Sequence, residues 1–322
     1  MKVKSIQIIC MTTLLVHSMA VQGQAYPSKP IKMLVGFSAG GGTDITARMV
    51  ANKLSGDLNQ TVIVENRPGA GGMIATEAVA RSNADGYTLL MVAAAEAVQP
   101  AIRQNLTYDL VKDFSPISLI VTVPFALVTH PSVPAKSAKD LISLAKAHPG
   151  KLNYASSGVG SSAHLSNELF NSMANIQITH VPYKGVSQGV TALASGQVDM
   201  IFASFPAALP LLNAKKIKAL GVSTLTRSSV MPDLPTVDES GLKGYERYGW
   251  YGLIAPAGVP TNIITRLHQG IVRTVSAPEM KSSFINQGLE PLTNTPGEFA
   301  VFIKKEIAQT ATLMKSTQAK AN

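Results

Sequence analysis

The sequence predicts an α/β protein with two lobes, each a mostly parallel sheet flanked by helices, and a cleft between the lobes. Apolar runs of strand length alternate with amphipathic segments of helix length, a pattern typical of parallel sheets with helices on both faces. Two strand–turn–helix units, at residues 31–56 and 152–173, have turns rich in glycine. A chain of 322 residues with 46% apolar residues also exceeds the usual size of one hydrophobic core, which favours two domains.

The first 25 residues have the features of an export signal. A basic start with Lys2 and Lys4 precedes a mostly apolar segment at 6–21, and Gly23-Gln24-Ala25 provides the small residues that a signal peptidase reads. We therefore expect cleavage at that point and a soluble, exported protein. The single cysteine, Cys10, lies within this leader, so the mature chain is expected to contain no disulfide.

The charge distribution argues against nucleic acid as a partner. Removing Lys2 and Lys4 lowers the formal net charge from +9 to +7, and the remaining basic residues are scattered rather than clustered. The five histidines beyond the leader have no zinc-binding spacing, so the sequence predicts no metal and no cofactor. The mild positive charge suits an anionic ligand but is equally typical of a soluble surface.

The first strand–turn–helix unit predicts an anion-binding loop. Residues 31–35 predict a buried strand, Gly40–Gly42 a turn, and Asp44 the start of a helix. Backbone N–H groups at a helix start have no helical partner, and the helix dipole adds positive potential there. We expect ligand contacts throughout this turn, from Phe37, Ser38, Ala39, Gly40, Gly41, Gly42 and Thr43.

The next elements extend the first lobe. Residues 61–65 and 87–92 predict strands, with a glycine-rich turn and a helix between them. Ala95 and Glu96 follow the third strand, and open α/β sheets bind ligands at the carboxyl ends of their strands. Both residues are candidate ligand contacts, with the first turn of a solvated helix as the alternative.

The second lobe repeats the design of the first. The apolar segments 116–123 and 125–128 predict two strands at a crossing between the lobes, and residues 152–155 predict a strand before a turn rich in glycine and serine. Bare N–H groups and hydroxyls in this turn suit a carboxylate or phosphate, whereas a serine-capped helix is the structural alternative. The candidate contacts are Ser157, Gly158, Gly160, Ser161, Ser162 and His164, together with Asp199 on a later strand. For His164 a structural hydrogen bond is the alternative, and for Asp199 bracing of the second-domain loops is the favoured one.

The remaining chain completes the second lobe and returns to the first. Three further strands are predicted up to residue 222, and a strand at 248–255 leads back before a helical tail. We therefore predict a first domain of residues 26–124 and 253–322, and a second domain of residues 125–252.

Two motifs allow other interpretations of the turns. Gly36–Gly40 matches the G-x-S-x-G elbow of serine hydrolases with Ser38 as nucleophile, but no candidate acid or histidine lies in a recognisable motif. Gly158–Ala163 matches the dinucleotide pattern G-x-G-x-x-A, but the next strand ends at Lys184 without the acid that would hold a ribose. We therefore expect a binding protein rather than an enzyme, with an exported hydrolase as the alternative.

A series of short motifs extends through residues 26–322. It comprises Tyr26–Ile31, Phe37–Asp44, Glu65–Gly72, Asp85–Leu89, Gly158–Leu165, Val181–Gly185, Gly196–Asp199, Trp250–Leu253 and Ala255–Pro260. Each motif alone is weak, but in this order and spacing they resemble the Bug-type extracytoplasmic solute receptors of tripartite tricarboxylate transporters.

The resemblance implies a two-lobed periplasmic binding protein that closes on a small organic carboxylate and then docks on a membrane permease. It implies that backbone amides and ordered water hold ligand carboxylates at residues 37–43 and 157–162. A receptor that signals to a membrane sensor kinase would use the same clamshell, so that alternative stays open. We expect a monomer.

One departure from the family concerns the residues after the third strand. Many members have serine, threonine or histidine there, whereas this chain has Ala93, Ala94, Ala95 and Glu96. Fewer hydroxyl groups and an added acid beside these residues would disfavour a second or third carboxylate on the ligand there. We therefore expect a monocarboxylate or aromatic ligand, with an amide, amine or ring nitrogen facing Glu96.

Overall fold

The computed structural model describes residues 26–103, 105–183 and 185–316. The predicted leader therefore lies outside the described residues. The strands are β1 (Ile31–Val35), β2 (Val62–Asn66), β3 (Thr88–Ala93), β4 (Phe114–Thr129), β5 (Asn153–Ser156), β6 (Thr179–Pro182), β7 (Met200–Ser204), β8 (Lys218–Val222), β9 (Tyr248–Pro256) and β10 (Glu290–Pro291). The helices are α1 (Gly42–Leu58), α2 (Met73–Ala80), α3 (Ala94–Ile102), α4 (Ala138–Ala147), α5 (Ser162–Ala174), α6 (Val186–Ala194), α7 (Phe205–Asn213), α8 (Thr261–Ser276), α9 (Pro278–Asn286) and α10 (Pro296–Ser316).

The strands of the first lobe follow the order β2-β1-β3-β9-β4. Strand β1 pairs in parallel with both β2 and β3, whereas β9 runs antiparallel to β3 and β4. Strand β1 is buried along most of its length because helices cover both faces of the sheet, which explains its nearly continuous apolar sequence. This arrangement confirms the predicted α/β fold.

The second lobe is built on the far end of β4. Residues 125–129 of β4 pair antiparallel with β7 and β8, and β5 pairs in parallel with β6 and β7. The sequence predicted two separate strands near residue 124, whereas β4 is one strand of 16 residues that serves both lobes. Pro124 does not interrupt it, although proline donates no ladder hydrogen bond.

The chain returns from the second lobe to the first lobe earlier than the predicted domain boundary. Residues 248–252, assigned above to the second domain, pair with residues 119–124 of β4 in the sheet of the first lobe. The division into two domains stays a proposal, with its second boundary moved to the residues just before Tyr248.

Packing between the lobes involves helices from both. Val98 of α3, Leu165 of α5 and Met314 of α10 form a small buried apolar cluster. Within the described residues, no helix is long and apolar enough to cross a membrane.

Candidate ligand-binding site

A cavity of about 470 Å³ lies between the two lobes, at the carboxyl ends of β1, β3, β5 and β7. We call it the cleft cavity. Both lobes and both crossing strands contribute to its walls. The lining residues are Phe37, Thr43, Gly71, Ala93, Ala94, Ala95, Gln99, Ile102, Val123, Phe125, Ser157, Val159, Gly160, Ser161, Ser162, Ala163, Val186, Phe202, Ser204, Gly249, Trp250 and Tyr251.

The first loop, residues 36–41, leads from β1 into α1. Helix α1 begins at Gly42 without a side-chain cap, so its first N–H groups have no side-chain partner. Gly40 has a φ of 80°, which favours glycine. A Cβ atom on Gly42 would lie 2.7 Å from the Tyr251 hydroxyl oxygen, so glycine also permits close contact with β9. The Gly40 N–H is bound by Asp44 and the Gly41 N–H by the Ser38 carbonyl, so the donors without a side-chain cap lie at the start of α1, where Thr43 lines the cleft cavity.

A buried carboxylate holds the first loop from below. Asp44 accepts hydrogen bonds from the Gly40 N–H at 2.8 Å, from Arg48 Nε at 3.0 Å and from Asn66 Nδ2 at 2.9 Å. Burial alone would raise the pKa of the Asp44 carboxyl, but these hydrogen bonds together lower it. Asp44 thus fixes the loop and does not line the cleft cavity.

The second loop, residues 157–161, leads from β5 into α5 and is supported by side chains. Ser161 caps α5 by accepting a hydrogen bond from the His164 N–H at 3.2 Å. His164 Nδ1 in turn accepts from the Gly160 N–H at 3.1 Å. The Ser156 hydroxyl accepts from the Gly158 N–H at 3.0 Å and lies 2.6 Å from His180 Nε2. Several donors of the second loop are therefore already engaged.

The imidazole rings of His164 and His180 lie against each other below the second loop, with an angle of 31° between their planes. Their centroids are 4.4 Å apart, and the Tyr154 ring lies against both. Burial, together with the charge of His180, lowers the pKa of His164 to about 4. Since its Nδ1 accepts from Gly160, His164 is neutral in this arrangement.

Glu96 does not line the cleft cavity, so its predicted contact with a ligand nitrogen finds no support in this arrangement and stays a prediction. Its side chain is fully buried, and Oε2 accepts from the Ala93 N–H at 3.0 Å, which caps α3. A Cβ on Gly72 would lie 2.6 Å from Oε1, so the carboxyl is packed against the turn before α2. Burial raises the pKa of Glu96 to about 8, which favours a neutral acid at pH 7.

Asp199 also lies away from the cleft cavity. It directly precedes β7, at the end of that strand opposite Ser204, which lines the cavity. Its carboxylate accepts from the Asn153 N–H at 2.7 Å, and its carbonyl accepts from the His130 N–H at 3.1 Å. Asp199 therefore braces neighbouring segments of the second lobe.

The remaining candidates fall into two groups. Phe37, Thr43, Ala95, Ser157, Gly160, Ser161 and Ser162 line the cleft cavity, and their ligand contacts stay predictions. The other candidates do not line the cleft cavity. Exposed on the first loop and at the start of α1 are Ser38, Ala39, Gly40, Gly41 and Gly42. Gly158 is half-buried on the second loop, and His164 is buried below that loop.

The sequence analysis missed the aromatic wall of the cleft cavity. Phe125, Phe202, Trp250 and Tyr251 line it, and all lie on strands rather than on the two loops. Trp250 and Tyr251 were noted only as part of a family motif. No charged side chain lines this cavity within the described residues.

The hydrolase alternative finds no support around Ser38. Three histidines available as a base are engaged elsewhere: His164 with Gly160, His180 with Ser156, and His268 with the Asn294 carbonyl. The described part of the chain also contains no group of three potential metal ligands.

Comparisons with known proteins agree on one family. Residues 46–318 match the family described as the tripartite tricarboxylate transporter family receptor. Protein BugT of Bordetella pertussis is 36% identical over 302 residues, covering 93% of each chain. Two solved structures from Rhodopseudomonas palustris are also similar. Rpa4515 with adipate is 35% identical, with a TM-score of 0.80 and coverage of 92% of this chain and 99% of that one. MatC with bound malate is 30% identical, with a TM-score of 0.75 and coverage of 89% and 99%.

Proposed function

The chain belongs to the tripartite tricarboxylate transporter receptor family, and from that premise we propose that it captures a small organic carboxylate in the cleft cavity and delivers it to a tripartite permease. The observation that carries the proposal is the pair of opposed strand–helix loops in a cavity without a charged lining residue among those described. A carboxylate there is held by helix N-termini and hydroxyls. Each helix terminus contributes about 0.3–1 kcal/mol, and up to about 2 kcal/mol when partly buried.

The unequal loops favour a solute with one carboxylate. The first loop offers uncapped backbone N–H groups, whereas Ser161 caps the second, leaving mainly the hydroxyls of Ser157 and Ser162. We place the carboxylate at the first loop and a neutral or apolar part of the solute at the second. The similar structures are Rpa4515 with adipate and MatC with bound malate, so a second carboxylate is the main competing possibility.

The middle of the cleft cavity favours an apolar or aromatic body for the solute. Phe125, Phe202 and Trp250 contribute broad apolar surfaces between the loops, and Ile102 and Val186 add aliphatic ones. Such surfaces stabilise a buried ligand by about 25 cal/mol for each Å² of apolar area removed from water. Because Glu96 is buried, we no longer assign it a ligand nitrogen.

The test is calorimetric titration of the purified chain, residues 26–322, with hexanoate, benzoate, adipate and citrate. Hexanoate and adipate have the same carbon chain and differ by one carboxylate, so they form a matched pair. We expect the monocarboxylates to bind more tightly than adipate, and citrate to bind least. Tightest binding of citrate would overturn the assignment of a monocarboxylate while leaving a carboxylate receptor in place.

Three further measurements test the wider proposal. Replacing Ser38 by alanine should leave binding within about twofold, and no ester should be hydrolysed, because Ser38 lies outside the cavity lining.

Pull-down with and without the bound carboxylate should recover permease subunits. Recovery of a sensor kinase instead would favour the signalling alternative. Absence of binding to any carboxylate would contradict the proposed function itself.

We also propose that residues 1–25 are a cleaved export signal and that the mature receptor is a monomer in the periplasm. Membership of this receptor family supports the compartment. Mass spectrometry of protein secreted to the periplasm should give an N-terminus near Tyr26. An intact Met1 in that fraction would contradict the cleavage.

A further inference from the structure

A second cavity, of about 650 Å³, lies outside the cleft cavity, and we call it the rear cavity. Its walls come from α5 of the second lobe, from α10, and from residues 244–248, which lead into β9. Helix α10 packs against α3 and β4 of the first lobe. The rear cavity is therefore built where the two lobes and a crossing segment meet.

A single aromatic layer separates the rear cavity from the cleft cavity. Trp250 lines the cleft cavity and packs edge-to-face on Phe302, which lines the rear cavity, with 5.3 Å between ring centroids. The Trp250 Nε1–H donates to Glu306 Oε2 at 3.1 Å, and Glu306 also lines the rear cavity. Any group that displaces Phe302 or Glu306 therefore also acts on Trp250.

The basic side chains of the rear cavity are incompletely paired. Arg247 is buried, and its Nη1–H donates to Glu306 Oε2 over a long distance of 3.4 Å. Its Nε–H has no hydrogen-bond partner among the described residues, and an unsatisfied buried donor is costly. Lys305 is exposed on the same wall and forms no ion pair within the described part of the chain. The Arg247 Nε–H and the Lys305 ammonium are therefore the donors available to an anion.

The other lining residues limit the charge and shape of that anion. Glu306 is already engaged by Trp250 and Arg247, but Glu246 lies exposed on the same cavity wall and would repel a second negative charge. Leu169, Met173 and Phe302 supply an apolar surface beside the charged groups. These features fit one negative charge on an apolar body.

We propose that the rear cavity is a second binding site, for a small amphipathic monoanion whose charged group is attracted by Arg247 and Lys305 and whose body packs on Leu169, Met173 and Phe302. This site is separate from the solute site, and it does not depend on which solute the cleft cavity binds. Its position against Trp250 makes the fluorescence of that residue a direct readout, because the chain contains a single tryptophan.

The first experiment measures binding of 8-anilinonaphthalene-1-sulfonate to the folded protein, with octanoate as competitor. Ala308 is an exposed residue of α10 that lines the rear cavity, so Ala308→Phe should fill it and abolish binding there. Val301→Phe is the matched control, because Val301 lies on the same helix, is 66% exposed and lies outside the cavity lining. The same loss of binding in both variants, or no loss in either variant, would overturn the proposal.

The second experiment tests the charge. Lys305→Glu should weaken octanoate binding about tenfold, because it replaces an attractive charge by a repulsive one. Lys304→Glu changes the net charge equally at the neighbouring exposed position, which does not line the rear cavity, and should change the affinity less than twofold. Equal effects of the two variants would show general charge attraction only and would contradict the site.

The third experiment separates the rear cavity from the cleft cavity. Octanoate is also a monocarboxylate of the kind proposed for the cleft cavity, so the measurement is made in Ser162→Phe, which narrows that cavity. Octanoate should still change Trp250 emission in this variant, and adding Ala308→Phe should remove the change. Loss of the change in Ser162→Phe alone would assign octanoate to the cleft cavity and would overturn the rear site without affecting the proposed receptor function.

Discussion

The first and second loops have the same strand–turn–helix path but differ in how their backbone donors are used. In the first loop α1 starts without a side-chain cap, and the support comes from Asp44 below it. In the second loop Ser161 caps α5, and Ser156 and His164 accept further N–H groups. The comparison shows that equivalent backbone geometry does not give equivalent binding capacity. Under the proposed function, the free donors would decide where the carboxylate is held.

Removing the support of the first loop should have the largest effect. Asp44→Ala leaves the Gly40 N–H and the Asn66 amide without their acceptor, and we expect a loss of about 2–4 kcal/mol in unfolding free energy. Solute affinity should fall with it. Denaturant unfolding measures the first effect and calorimetry the second. Asp140→Ala, at an exposed helix start, is the control and should lower the unfolding free energy much less.

Acid should weaken the second loop through His164. Its pKa of about 4 in the fold lies below the ordinary value near 6.5, so its stabilising contribution is present above pH 6.5 and is lost as the pH falls through 4. His164→Asn offers an acceptor that does not titrate. We expect it to reduce the acid-dependent loss of stability by about 1–3 kcal/mol. Identical pH profiles of the two proteins would contradict this role.

Loss of the cap in the second loop should have a moderate effect. Ser161→Ala removes the acceptor for the His164 N–H and should cost about 1 kcal/mol of unfolding free energy. It also removes a hydroxyl from the cleft cavity. Thermal denaturation measures the change, and Ser137→Ala, which removes the equivalent cap of α4 far from the cleft lining, gives the matched control.

Giving the first loop the cap of the second should have the smallest effect on stability and a clear effect on binding. Gly41 has an extended conformation, with φ −78° and ψ 165°, so its dihedral angles suit a capping serine, and the Ser38 carbonyl oxygen, 3.3 Å from the added Cβ, has to move slightly in Gly41→Ser. We expect a gain of a few tenths of a kcal/mol and an affinity for the solute that is about tenfold lower, because the new hydroxyl occupies a donor. Unchanged affinity would show that the bare N–H groups do not hold the carboxylate.

Local sequence patterns were sufficient to predict both loops and most strands. Strand β1, for example, occupies the predicted residues 31–35, because an apolar run followed by glycines encodes its own boundaries. The family, too, follows from short motifs in order. These features depend on neighbours in sequence and not on distant packing.

The side-chain positions that the sequence did not indicate depend on distant contacts. Glu96 was placed correctly after β3, but its side chain turns back to the Ala93 N–H and packs against Gly72, which no local pattern indicates. Asp199 lies at the amino end of β7, so strand direction alone excludes it from the ligand end. Trp250 lines the cleft because β9 pairs with β4 in a particular register, which only the folded sheet determines.

The position of β9 in the sheet also affects when the first lobe is able to fold. Strand β9 lies between β3 and β4, although it follows β4 by more than a hundred residues in the chain. A growing or translocating chain therefore lacks an interior strand of its first sheet until residue 256 is available, and contacts of such long sequence separation form slowly. A chain truncated before Tyr248 should remain sensitive to protease. The sheet of the first lobe therefore lacks this interior strand until nearly four-fifths of the chain has been synthesised, which under the export proposed above would favour passage of an unfolded polypeptide.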